Sequence, residues 1–300
     1  MNLNWIKSLT QSRAFHPAWM AMAVLSIFGV AGVMALPALY EASNAAPPAA
    51  LTPKMAGELQ THKRPSFSPP SASTIPSGEF GNAVLLGRNI FRNTQVYAKS
   101  YVGNGLNCVN CHLDDGRKAD SAPLWGAYVK YPAYREKNHK VNTFEERLAG
   151  CFRFSMNGTA PAADSKEMIA LIAYSFWLAQ GAPTGANLVG SGYPKLENPG
   201  LAPDAQRGAA VFAANCVICH GAAGQGSKVN GKYVFPPLWG KDSYNAGAGM
   251  SNVPTAAAFI HANMPLGQGG TLTQQAAWDV AQYLDGHDRP PDPRLKPGLK

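Results

Sequence analysis

Three stretches of this 300-residue chain repeat apolar side chains at the 3.6-residue period of a helix that buries one face. Phe80, Val84, Gly87 and Phe91 form the first stripe. Met168, Leu171, Ile172 and Phe176 form the second; Asp164 with Glu167 has the spacing of a capping box ahead of it, and Gly181 closes it. Ala277, Val280 and Leu284 form the third, opened by Thr271 with Gln274 and closed by Gly286. Thr143 with Glu146 repeats the capping pattern before a shorter helix that Asn157-Gly158 would stop. No segment alternates apolar and polar residues well enough to predict a strand. The N-terminus differs in kind, because Pro17 to Tyr40 carries no charge and follows Lys7 and Arg13. That pattern predicts an export signal or membrane anchor over residues 1–40, and its length favours an uncleaved anchor.

The remainder divides by composition and by repetition. Residues 41–78 are rich in Ala, Pro and Ser and read as a linker; residues 289–300 read as a surface tail. Between them one pattern occurs twice. Gly87-Arg88-Asn89-Ile90-Phe91 leads to Cys108-Val109-Asn110-Cys111-His112, and Gly208-Ala209-Ala210-Val211-Phe212 leads to Cys216-Val217-Ile218-Cys219-His220. Each copy continues through Pro-Leu-Trp-Gly (123–126 and 237–240) to a closing helix. Two tandem domains, 79–187 and 200–288, explain this better than one large core, so the expected class is all-α. Phe91 and Phe212 are expected to pack between the first and last helix of their domains.

Cys-x-x-Cys-His has a definite chemistry. Two cysteines three apart can bond the two vinyl groups of one haem, and the adjacent histidine then lies under the iron. The expectation is two covalent haem c groups, held by Cys108, Cys111 and His112 and by Cys216, Cys219 and His220. A zinc centre would want a second ligand pair beside each motif. With 30 glycines and 24 prolines, neither domain has much regular structure to build a core, and a buried macrocycle would supply one. Trp125 and Trp239 are expected to pack on these groups.

Five cysteines rule out a disulfide framework, and four of them are now assigned. In the second domain Met264-Pro265 offers a thioether as distal ligand, with Met250 a weaker rival. The first domain has no Met-Pro at the matching place. There, Arg147, Cys151 and Ser155 would share one face if the segment is helical, with Met156 and Arg153 turned away. Cys151 is the expected distal ligand of the first haem; Met156 and His139 are the alternatives. Lys and Arg exceed Asp and Glu by 8, an excess in the N-terminal tail and first half. Without a run of basic residues it suits a small anion or an anionic membrane surface better than nucleic acid. Lys228, Lys232 and Lys241 read as solvated surface that could also receive a redox partner.

The segment Gly150-Cys151-Phe152-x-x-Ser155-Met156-Asn157-Gly158, after Glu145-Glu146-Arg147, resembles the thiosulfate dehydrogenase family of dihaem c-type cytochromes, and the resemblance covers roughly residues 79–288. It implies that Cys151 is the distal ligand of a catalytic haem and that Arg147 and Ser155 contact substrate. Arg135, Lys137 and Lys140 overlap a region that helps hold the anion. The implied reaction joins two thiosulfate ions into tetrathionate, in either direction, with electrons passing to the Met-ligated haem and on to an external acceptor. It leaves open whether Cys151 forms a transient sulfur adduct. Some members have a lysine before the second haem's methionine and exchange ligands with redox state; Asn263 stands here, so plain His220/Met264 ligation is expected. The N-terminal pattern predicts a periplasmic location, tethered by residues 17–40 or exported after signal cleavage. Two competing readings are a tandem electron carrier without activity and a sulfur-carrier subunit that needs a partner. A dihaem peroxidase lacks a third ligand histidine, since His261 and His287 read as surface or packing residues.

Overall fold

A computed structural model describes residues 66–295. The expected anchor over residues 1–40 and most of the linker lie outside the described residues. Among the described residues no helix is long and apolar enough to cross a membrane.

Each repeat contributes three main helices. In the first domain these are α1 (Gly78–Arg92), α2 (Phe144–Gly150) and α3 (Lys166–Leu178). In the second they are α4 (Ala205–Asn215), α5 (Val253–Asn263) and α6 (Gln274–Asp285). α1 packs on α3, and α4 on α6. Both crossings depend on a glycine. A Cβ on Gly87 would run into the carbonyl of Ala170 and the Cβ of Tyr174; one on Gly208 would meet the carbonyl of Asp279 and the Cβ of Tyr283. Without a side chain the two backbones approach closely, and Phe91 and Phe212, one turn on, are buried beside the crossing as expected.

Several expectations shift at the element ends. α3 is capped by Ser165, whose hydroxyl accepts from the N–H of Met168, rather than by Asp164. α6 is capped by Thr273 and not Thr271, whose hydroxyl donates to the carbonyl of Gln268. The Thr143/Glu146 box forms reciprocally, as expected. Phe80 is 40% and Phe176 45% exposed. They meet edge to face outside the core, and Ile90 takes the inward place.

The absence of strands is also corrected, because each domain carries one antiparallel hairpin. β1 (Ala133–Arg135) pairs with β2 (Lys140–Asn142), and β3 (Ser227–Val229) with β4 (Lys232–Phe235). Strands of three or four residues are too short to show alternation. The second turn does have a signal, since Asn230 and Gly231 both adopt positive φ (51° and 76°), as a two-residue hairpin requires.

Two apolar cores form, and each borrows from the other domain. Leu113, next to His112, belongs to the core of the second domain, while Tyr244 and Ala248 belong to that of the first. The connection between domains runs back along the first, where Gly190 and Gly192 accept from the N–H groups of Asp120 and Ala122. Residues 289–295 pack against the second domain, burying Asp292 and placing Arg289 over the Tyr244 ring.

Candidate active site

The two Cys-x-x-Cys-His segments end in the same arrangement. The Nδ1–H of His112 donates to the carbonyl of Ala122 (2.6 Å), and that of His220 to the carbonyl of Pro236 (2.9 Å). A carbonyl on Nδ1 fixes the ring and leaves Nε2 free for a metal. In the first domain the residue bearing that carbonyl is held by the inter-domain connection, its N–H donating to the carbonyl of Gly192. Burial pushes His220 below the ordinary histidine range, which favours the neutral ring a metal needs.

Cys151 is the residue that caps the C-terminus of α2, and Met264 is the residue that caps the C-terminus of α5. The repeat therefore places two sulfurs at equivalent points, each beyond the helix that follows its Cys-x-x-Cys-His motif. One turn before Cys151, the Arg147 guanidinium donates to its Sγ at 2.8 Å. Loss of water around the sulfur pushes the thiol up, but Arg147 and the facing His112 ring outweigh that effect and bring it down to about 6. Burial pushes Cys108 and Cys111 up to about 12 and Cys216 to about 11. These three are reluctant to ionise, whereas Cys151 is built to be a thiolate.

Ser155 follows Cys151 through a different turn from the one expected. The α-helix ends at Gly150, and Cys151–Ser155 form a π-turn, so the simple i, i+4 face does not extend to Ser155. Met156 is buried in the first core, Arg153 is exposed, and His139 lies at the exposed tip of the β1–β2 hairpin. Lys137 reaches over the Phe154 ring and donates to the carbonyl of Gly247 (2.7 Å). Burial and the neighbouring Arg294 and Arg135 lower its pKa. Lys140 instead pairs with Glu146 at 2.9 Å, on the exposed end of α2. Tyr193, in the inter-domain connection, lies close enough to Cys111, Arg147 and Cys151 to feel their charge, and packs edge to face on Phe259 of the second domain. Nothing in the sequence singles out Tyr193; it stands in a Gly/Ser/Pro stretch without periodicity.

The second motif opens on a cavity of about 570 Å³ lined by Cys216, Cys219, His220 and Met264. Met250 lines it too, as do Cys111 and Leu113 of the first domain. Asn263 is fully buried with its amide donating to the carbonyls of Asp120 and Phe259, while its Oδ1 has no protein partner. Trp125 donates to the carbonyl of Arg117 and Trp239 stacks on His287, so both indoles have structural partners.

Comparison with known proteins decides the family. A thiosulfate dehydrogenase of Stutzerimonas stutzeri is 58% identical over 77% of this chain and 76% of its own. One of Thiomonas intermedia is 51% identical over 94% of this chain and 88% of its own. The chain belongs to the thiosulfate dehydrogenase family. Residues 92–184 match the model described as SoxA/TsdA, cytochrome c domain, and residues 203–284 match cytochrome c oxidase, cbb3-type, subunit III. The solved structure of a thiosulfate dehydrogenase (TsdBA) from Marichromatium purpuratum is 51% identical, with a TM-score of 0.75 over 78% of this chain. This chain covers 52% of that one, about half its length.

Family membership makes this an oxidoreductase of sulfur metabolism with two covalently bound haem c groups. The residues present fit those groups. Each motif has an oriented histidine, the second has an apolar cavity beside it, and each repeat offers a sulfur of a kind that ligates iron. Among the described residues no three His, Cys, Asp or Glu side chains converge as a metal site.

Proposed function

We propose that the first domain oxidises two thiosulfate ions to one tetrathionate with release of two electrons, and that Cys151, Arg147 and Ser155 form its substrate site. The contact that carries this reading is the Arg147 guanidinium on the Cys151 sulfur, with His112 facing it. When bound, the haems would supply electron acceptance; His112 and Cys151 would hold the first, at the lower potential, and His220 and Met264 the second, at the higher one nearer the external acceptor. The protein's part is electrostatic. Joining two dianions requires fixed positive charge where they meet, and Arg147 with Lys137 and Arg135 provides it without reorganisation. Met264 is favoured over Met250 as the thioether because it alone matches Cys151 in the repeat. Leu113 lines the second cavity directly after His112, so the two centres are separated by little protein. Exposed Ile218, Val234 and Leu266 near that cavity, with Lys228 and Lys232, support the second domain as the exit side. We place both domains in the periplasm, on the basis of the apolar run after Lys7 and Arg13.

Steady-state thiosulfate oxidation by the purified holoprotein with an artificial acceptor, alongside EPR of the oxidised protein, tests the proposal. Turnover is expected, with a low-spin thiolate-type signal that Cys151→Gly abolishes. An unchanged spectrum in Cys151→Gly, or full turnover in Cys151→Met, would overturn it.

A further inference from the structure

An α-helix gives each carbonyl an N–H four residues on, and a π-turn takes it one further. Beyond Gly150 the chain follows the second pattern, with the N–H of Met156 on the carbonyl of Cys151 (2.9 Å). The N–H of Gly158 reaches the carbonyl of Phe152 (2.9 Å). The next three carbonyls have no such donor from their own segment. Backbone carbonyls without a helical donor take partners elsewhere, and all three do. Asn245 donates from its side chain to Arg153 (3.0 Å) and from its main chain to Phe154 (3.2 Å). The side chain of Asn104 donates to Ser155 (2.8 Å).

The two asparagines are used completely. Asn104 gives its second N–H to the carbonyl of Ser243 (3.2 Å) and accepts from the N–H of Leu106 (3.1 Å). Asn245 gives its second N–H to Oδ1 of Asn157 (3.0 Å) and accepts from the N–H of Gly247 (3.0 Å). Because each amide oxygen faces an N–H, each NH₂ must face the turn. Asn104 is 5% and Asn245 0% exposed, so both side chains make these bonds away from bulk water. Ser243 and Asn245 belong to the second domain, and the N–H of Gly105 is tied to it through the carbonyl of Asp242 (3.0 Å).

We infer that Asn104 and Asn245 are positioning residues for the Cys151 sulfur, and that loop 242–247 of the second domain is a working part of the first domain's site. The inference rests on the reading of Cys151 as the distal ligand. The second domain then does two jobs, providing the electron exit and clamping the turn that carries the sulfur.

The test uses holoprotein with Asn245→Asp and Asn104→Asp, which keep shape but replace a donor by an acceptor. Asn252→Ala is the control; it removes the side chain that caps α5 on the N–H of Thr255 and does not touch the turn. Both Asp variants should broaden or partly replace the thiolate-type EPR signal of the first haem. In both, amide exchange at Met156 and Gly158 should quicken on the order of tenfold. Asn252→Ala should change neither. Unchanged spectra and exchange in both Asp variants would overturn the inference, as would equal changes in Asn252→Ala. If wild type itself lacks a thiolate signal, the ligand reading fails, and the exchange rates still decide whether the clamp exists.

Discussion

At Cys151 desolvation raises the thiol pKa while Arg147 and His112 lower it, and the second influence wins. A charge-assisted hydrogen bond of this kind contributes about 1.5–3 kcal/mol. Arg147→Leu should therefore reduce kcat/KM for thiosulfate by about 10- to 100-fold, since it removes both the sulfur's partner and the anion's counter-charge. Arg147→Lys should lose less, keeping the charge without the planar fork. Steady-state kinetics on the two variants separate these effects. Arg147 and Cys151 are legible in the sequence because they lie one α-helical turn apart within a capped segment. Ser155 is less so, because a π-turn changes the spacing between them. Asn104 and Asn245 are not legible at all: their partners lie 51 and 92 residues away, and nothing local distinguishes them from surface asparagines.

Among the elements, the paired crossings of α1 with α3 and of α4 with α6 are the most demanding. Gly87→Ala and Gly208→Ala would push a methyl group into a facing carbonyl, and each should destabilise the fold by about 1–3 kcal/mol in chemical denaturation of the holoprotein. The periodic stripes make these helices readable, and the repeat points to the glycines, although only the fold explains them. Helix ends are less readable, since several Ser and Thr residues compete for each cap. The hairpins escape because their strands are shorter than the alternation needed to detect them. α4 and α6 are also joined by charge. Burial raises the pKa of Asp279, but bonds from Arg207, Gln275 and the N–H of Asp204 hold it below the ordinary carboxylate value. A lowered folded-state value means stabilisation present above the unfolded value, near 3.9, and lost as pH falls through the folded one. Asp279→Asn should lower the Tm of the holoprotein at pH 7, and the gap to wild type should close as the pH drops below about 4. A gap independent of pH would exclude this account.

The whole molecule behaves as two domains that cannot easily be separated. Leu113 completes the second core, Tyr244 completes the first, and the Tyr233 ring lies on the backbone of Gly105 while its hydroxyl donates to Asp242. Calorimetry of the holoprotein should show one cooperative transition; two resolved transitions would contradict the shared cores. The repeat reveals two domains in the sequence, but their mutual dependence comes from single residues beside each motif. Asn263 has a consequence for electrochemistry. Its amide is fastened to the Asp120 carbonyl of the other domain, so, with Met264 as the proposed ligand, the residue before it is held in place and would not exchange with it. On an electrode the second centre should therefore give waves that retrace themselves at every scan rate, without hysteresis between oxidising and reducing sweeps. An enzyme wired this way keeps no memory of the direction in which it last ran.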